Sequence, residues 1–235
     1  LTDPLGMKDV PDPANVRTYI MTSTQHSPAG VPLPKGPVFG NCQQQSNPNP
    51  QIWTMRALMT SFVRWVRDND QPPASVVPKI ADGTMIPPEQ VRFPAIQANT
   101  YGGVARPAIS AGPRIYNQLR VHDRGPQYRP GDTSGIATLE PPVPGNATYG
   151  VLVPKTDADG NDIAGVRLVD VTVPLATYTG WNVRHEQMGN GGLMTSGAPL
   201  FGATLVFPRT KAEREAKGDP RASIAERYAS KDAYL

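Results

Sequence analysis

One early stretch carries a strand-like pattern of apolar and polar residues. The run Val16-Arg17-Thr18-Tyr19-Ile20-Met21-Thr22 is rich in β-branched and aromatic residues and predicts a strand. It opens into Ser23-Thr24-Gln25-His26-Ser27-Pro28, a polar segment closed by proline. A Pro/Gly-rich loop leads to Asn49-Pro50, which reads as N-cap and first helical position. Beyond it Ile52, Met55, Leu58, Met59, Phe62, Val63 and Val66 fall on one side at helical spacing, with Arg56, Arg64 and Asp68 off it. The pattern predicts an amphipathic helix whose apolar face, at Leu58, Met59, Phe62 and Val66, packs against a sheet. A lone strand leaves its backbone donors and acceptors unpaired, so 16–22 is expected to pair with strands outside this sequence.

The pattern then changes twice. Residues 72–148 are irregular, broken by Pro72-Pro73, Pro87-Pro88, Gly102-Gly103 and Pro141-Pro142. Such a length exceeds an ordinary connection inside a compact domain. Its aromatics Phe93, Tyr101, Tyr116 and Tyr128 favour a segment packed over a surface rather than a disordered one. Pattern returns over 149–235. The runs Tyr149–Pro154 and Ile163–Leu168 flank Asp157-Ala158-Asp159-Gly160-Asn161-Asp162 and read as a β-hairpin. Val169 to Leu175 adds a strand or a bend, and Gly180-Trp181-Asn182 caps a pocket or completes the core. Thr210-x-x-Glu213 and Ser223-x-x-Glu226 mark two helix starts. Three zones follow: 1–71, 72–148 and 149–235.

Composition narrows the function. The 235 residues suffice for a full core, although only 38% are hydrophobic and 27 are proline. A net charge of +3 without a basic stripe argues against nucleic acid as partner. No apolar run reaches the roughly 18 residues of a membrane span. Cys42 is the single cysteine and reads as a small buried hydrophobe, not a nucleophile. His122 and His185 share no metal-site spacing with each other, His26 or Cys42, although the polar stretch around His185 could line a pocket. Taking Gly160 as the sixth position of a calcium loop puts Lys155 at the first and leaves no bidentate glutamate at the last, so a hairpin turn fits better. No metal or cofactor is expected.

His26 is the candidate for chemistry. An imidazole titrates near neutrality and can take a proton from a serine and return it to a leaving group. Its ring needs an acid partner, for which Asp3 and Asp9 are in-chain candidates and an upstream carboxylate a further one. No Gly-x-Ser-x-Gly occurs in the sequence. Gly131-Asp132-Thr133-Ser134-Gly135 and Thr195-Ser196-Gly197 have the wrong spacing for the strained elbow that frees a serine hydroxyl. The chain opens mid-pattern at Leu1, so it reads as the C-terminal part of a longer protein whose nucleophile lies upstream.

Several strings together resemble a known family: Val16-Arg17-Thr18-Tyr19, Ser23-Thr24-Gln25-His26, Asn47-Pro48 before Met55-Arg56-Ala57-Leu58, and Trp65-Val66-Arg67-Asp68 with Pro72-Pro73. Ala81–Thr84, Asp157–Arg167, Pro174–Asn182 and Asp219–Tyr228 continue the match. The sequence resembles the C-terminal part of large, mostly bacterial alpha/beta-hydrolase domain proteins. The resemblance implies an α/β fold ending in strand, histidine loop and closing helix, followed by a proline-rich middle and a hairpin-plus-helix extension. It implies hydrolysis of a small-molecule ester or related acyl bond, with His26 in the triad and the serine supplied by the N-terminal part or a partner subunit. A non-catalytic subunit that wraps a partner is the competing reading. The compartment stays open, periplasmic and secreted settings included.

Overall fold

The structure, a computed structural model, describes residues 2–33, 42–101, 104–106, 108–109, 118–128, 135–185, 193–194 and 201–234. Its elements, in chain order, are α1 (Ile52–Asp68), β1 (Met85–Ile86), a 3-10 turn (Pro88–Gln90), β2 (Asn99–Tyr101), β3 (Val104–Arg106), β4 (Arg120–Asp123), β5 (Val143–Thr148) and β6 (Val153–Pro154). There follow α2 (Val169–Thr172), β7 (Ala176–Thr179), β8 (Asn182–Val183), β9 (Leu193–Met194), β10 (Ala203–Val206), α3 (Lys211–Lys217), α4 (Ile224–Arg227) and α5 (Lys231–Tyr234). Among the described residues the strands form antiparallel pairs: β1 with β6, β2 with β3, β4 with β5, β7 with β10 and β8 with β9.

The expected strand at 16–22 is extended but forms no ladder. Single parallel bridges join Tyr19 to Val76 and Met21 to Val166. Among the described residues its partners, Val76 and Val166, lie within this chain and bond to one edge of the segment. Four bonds carry this pairing: Ile20 N–H to Val76 C=O, Val76 N–H to Thr18 C=O, Thr22 N–H to Val166 C=O and Val166 N–H to Ile20 C=O. The left-handed backbone at Ser23 ends the run before a longer ladder develops.

The proline-rich middle does not simply wrap another body. Its Ile96 and Ile109 bridge each other and enter the main apolar cluster with Val183, Ala203 and Leu205, against which Phe93 and Trp181 pack. The rings of Phe93 and Trp181 lie 5.2 Å apart and tilted. A second cluster holds Val171, Ala176 and Tyr178. Gly102-Gly103 and Tyr116 fall outside the described residues.

The expected hairpin is short. Thr156 bridges Asp162, and Asp157 Oδ1 accepts the N–H groups of Asp159 and Asn161, closing the turn. The arms then separate: β6 pairs with β1, while Val166 goes to Met21. Val169 to Leu175 starts as the helical turn α2, not as a strand. Both predicted helix starts are present. Thr210 accepts from the N–H of Glu213, and Ser223 with Glu226 forms a full capping box. This tail is tied down by Arg221, which is 1% exposed. Its guanidinium pairs with Asp219 and donates to Thr177 Oγ1 and to the carbonyls of Leu205 and Val206. Arg227 pairs with Asp159 and lies over Phe207.

Helix α1 departs from expectation in two respects. It is 17 residues long and ends at Asn69 in the left-handed conformation, whose N–H bonds to Trp65 C=O. Its start is Gln51, not Asn49-Pro50, and no side chain caps it. Leu58 and Trp65 are half-buried, and Arg17 lies over the Trp65 ring. However, Ile52, Met55, Met59, Phe62, Val63 and Val66 are exposed, with Phe62 at 54%. Among the described residues no sheet covers this face, contrary to expectation. In a protein of these 235 residues, Phe62→Ala should therefore cost less than about 1 kcal/mol, while Leu205→Ala, from the apolar cluster, should cost about 2–5 kcal/mol. Urea denaturation of both variants checks this, and a large loss at Phe62 would place that ring in a core.

Candidate active site

The histidine turn begins where the extended segment stops. Ser23 has φ of 51° and is 3% exposed, so this serine takes a conformation that glycine or asparagine would adopt more readily. The compensation is that its polar atoms are all bonded. Its N–H donates to Asp162 Oδ2 at 2.8 Å, and its Oγ accepts the N–H of Asp162 at 2.9 Å. Its carbonyl accepts Nδ2 of Asn47 at 2.8 Å and of Asn49 at 3.1 Å. Thr24 Oγ1 donates back to Met21 C=O and tightens the turn.

Gln25 is buried beneath the turn. Its Nε2 donates to the carbonyls of Asn47 and Asn49, and Gln51, at the start of α1, donates to Gln25 Oε1 and its carbonyl. On the far side the N–H of Ala29 donates to Asn47 C=O at 2.9 Å. Two glycines let the backbone come this close. A Cβ at Gly180 would lie 2.6 Å from the Thr24 carbonyl. One at Gly202, where φ is +59°, would lie 2.1 Å from the Thr179 carbonyl and 3.0 and 3.1 Å from the Cβ atoms of Gln25 and Asn47.

His26 itself is exposed, and among the described residues none hydrogen-bonds to it. A buried, hydrogen-bonded base thus carries an exposed imidazole. The two in-chain acid candidates are occupied elsewhere. Asp3 Oδ1 accepts from Met7 and Lys8, and Asp9 accepts from Ile80 and Ala81; these backbone bonds hold both carboxyls below the usual range. Neither is brought to His26. His122 sits exposed on β4, and His185 follows β8 half-buried. The strings Gly131–Gly135 and Thr195–Gly197 fall on residues 131–134 and 195–200, outside those described. Cys42 is buried, and desolvation raises its thiol, which disfavours a thiolate. Among the described residues no three His, Cys, Asp or Glu side chains group as metal ligands.

The buried amides and Asp162 were not singled out from the sequence. Polar residues in a loop read as solvated; their burial shows only once Ser23, Asn47 and Thr179 are brought together. Asn182 is buried and extends this layer, donating to the carbonyls of Gln44 and Gly202, so Gly180-Trp181-Asn182 joins the core. A cavity of about 280 Å³ lies between Phe207 and α3, lined also by Arg209 and Asp219 and not by His26.

Comparison with known proteins gives one finding. A family model described as Alpha/beta hydrolase domain matches residues 6–235, and the chain belongs to that family. No curated protein and no solved structure matches it.

Burial pushes the Asp162 carboxyl up to about 6 from an ordinary value of 3.8, overcoming its bonds to Ser23. Folding therefore favours the protonated acid. That contribution is complete below about pH 3.8 and is lost as pH rises through about 6. Asp162→Asn removes the ionisation, so its stability relative to wild type should rise between pH 4 and pH 7, by at most about 3 kcal/mol. Chemical denaturation across that range measures the difference; a pH-independent offset would contradict the assignment.

Proposed function

We propose that this chain is the histidine-bearing part of a serine hydrolase that cleaves an ester or related acyl bond. Membership of the alpha/beta-hydrolase family supports hydrolysis in general. The observation that carries the finer reading is the contrast at residues 23–29: a bonded, buried base below and an exposed imidazole above. A general base must be held in place yet remain reachable by the group whose proton it takes.

In this reading a serine outside these 235 residues attacks the acyl carbonyl. His26 accepts the serine proton, then delivers it to the departing alkoxide or amine as the tetrahedral intermediate collapses to the acyl-enzyme. Water attacks the acyl-enzyme, His26 taking its proton and returning it to the serine oxygen as the second tetrahedral intermediate collapses and the acid product leaves. The acid partner that orients His26 comes from the same outside body, since Asp3 and Asp9 are bonded to loop backbone. The N-terminal part of the same protein or a partner subunit would supply both groups.

The exposed apolar stripe of α1 bears on the competing reading, a non-catalytic subunit that binds a partner through it. The two readings differ at His26. In the assembled enzyme containing the serine, His26→Ala should lower turnover of a chromogenic ester by ~10³-fold or more, as loss of a triad member does, with the melting temperature little changed. Full turnover in that variant would remove His26 from the chemistry and favour the binding subunit.

A further inference from the structure

We propose that Asn47 is the positioning residue of His26, holding the chain on both sides of the imidazole. The inference rests on the reading of His26 as general base and adds the residue that fixes its geometry. Before the histidine, Asn47 Nδ2 donates to Ser23 C=O at 2.8 Å, and the Asn47 carbonyl accepts Gln25 Nε2 at 2.7 Å. After it, the same carbonyl accepts the N–H of Ala29 at 2.9 Å. One residue, 0% exposed, thus clamps positions three before, one before and three after His26.

Asn47 is itself anchored to the core. Its N–H donates to Phe201 C=O at 2.8 Å, and Nδ2 makes a second bond to Thr179 C=O at 3.1 Å, at the end of β7. Its Oδ1 accepts the N–H of Asn49 at 3.0 Å. The side chain therefore uses two donors and one acceptor at once. An aspartate has no N–H and would set a carboxylate against two carbonyls. Alanine and serine are too short to span Ser23 and Thr179. The residue is required as an amide of this length, and its bonds run from the β7–β10 pair to the turn that carries the imidazole. A catalytic base displaced by about 1 Å can lose about 10²-fold in rate, so such a clamp has a direct consequence for turnover.

The test uses Asn47→Ala and Asn47→Ser, with two readouts. In the ¹⁵N-labelled chain, backbone order parameters over residues 24–28 and the ring signals of His26, His122 and His185 are compared with wild type. The expected result is a fall in order over 24–28 to below about 0.6, with the His26 signals moved and those of His122 and His185 in place. In the assembled hydrolase kcat should fall about 10²-fold with KM little changed, because Asn47 is buried and acts only through the placement of the base. A folded variant with an unchanged 24–28 turn, or with unchanged kcat, would overturn the assignment. So would loss of the fold in both variants, which would make Asn47 a folding residue. His26→Ala separates the two levels. If it leaves turnover intact, the catalytic reading fails and the positioning role falls with it. If it abolishes turnover while a folded Asn47→Ala retains kcat, only the assignment to Asn47 fails.

Discussion

The bond between the Asn47 side-chain amide and the Ser23 carbonyl joins parts of the chain that would otherwise have little reason to meet. Ser23 ends the extended segment in a conformation costly for a residue with a side chain, and it persists because the surroundings satisfy each of its polar atoms. Through Asn47 the turn is fixed to β7 and Gly202, and through Asp162 to the hairpin turn. Gln25 and Gln51 fix it to the start of α1. Four separate stretches of sequence therefore converge beneath one histidine.

This convergence explains the unusual interior. Gln25, Gln44, Gln45, Asn47, Asn49, Asn161 and Asn182 are buried, as are Arg221 and Asp219, while the apolar clusters are small. Buried amides are costly unless bonded, and once bonded they hold one arrangement more strictly than an apolar core of equal size. The Arg221–Asp219 pair follows the same logic. Removing one partner of such a pair is expensive, whatever the pair adds when intact. An interior of this kind suits a site whose geometry matters more than its total stability. The family match over 6–235 places the chain among alpha/beta-hydrolase domain proteins.

Local rules in the sequence were sufficient where the interaction was local. The helical spacing from Ile52 to Val66 became α1, the glycine-assisted turn at Asp157–Asp162 closed, and Thr210 and Ser223 capped helices as their spacing required. Local rules failed where a distant partner decided the outcome. Asn49-Pro50 looks like a helix start, but the Asn49 amide is bonded to Ser23, and the helix begins after Gln51. The 16–22 pattern is that of a strand, yet the segments beside it meet it at single residues. Val169–Thr172 has strand composition but turns helical, with Thr172 Oγ1 bonded to Leu168 C=O. The setting of His26, between the extended run and the helix, was legible. The residues that hold it were not, because burial of Asn47 and Asp162 depends on contacts 132 and 139 residues away in sequence.

The histidine turn should be among the most firmly held parts of the molecule although its tip is exposed. Native-state hydrogen exchange of the amides of Ser23 and Ala29, which donate to Asp162 and Asn47, tests it directly. If the polar clamp holds, both exchange only through openings close in free energy to global unfolding. Exchange as fast as that of Gly83, in the exposed turn after Ile80, would show that the turn opens independently and would contradict the account.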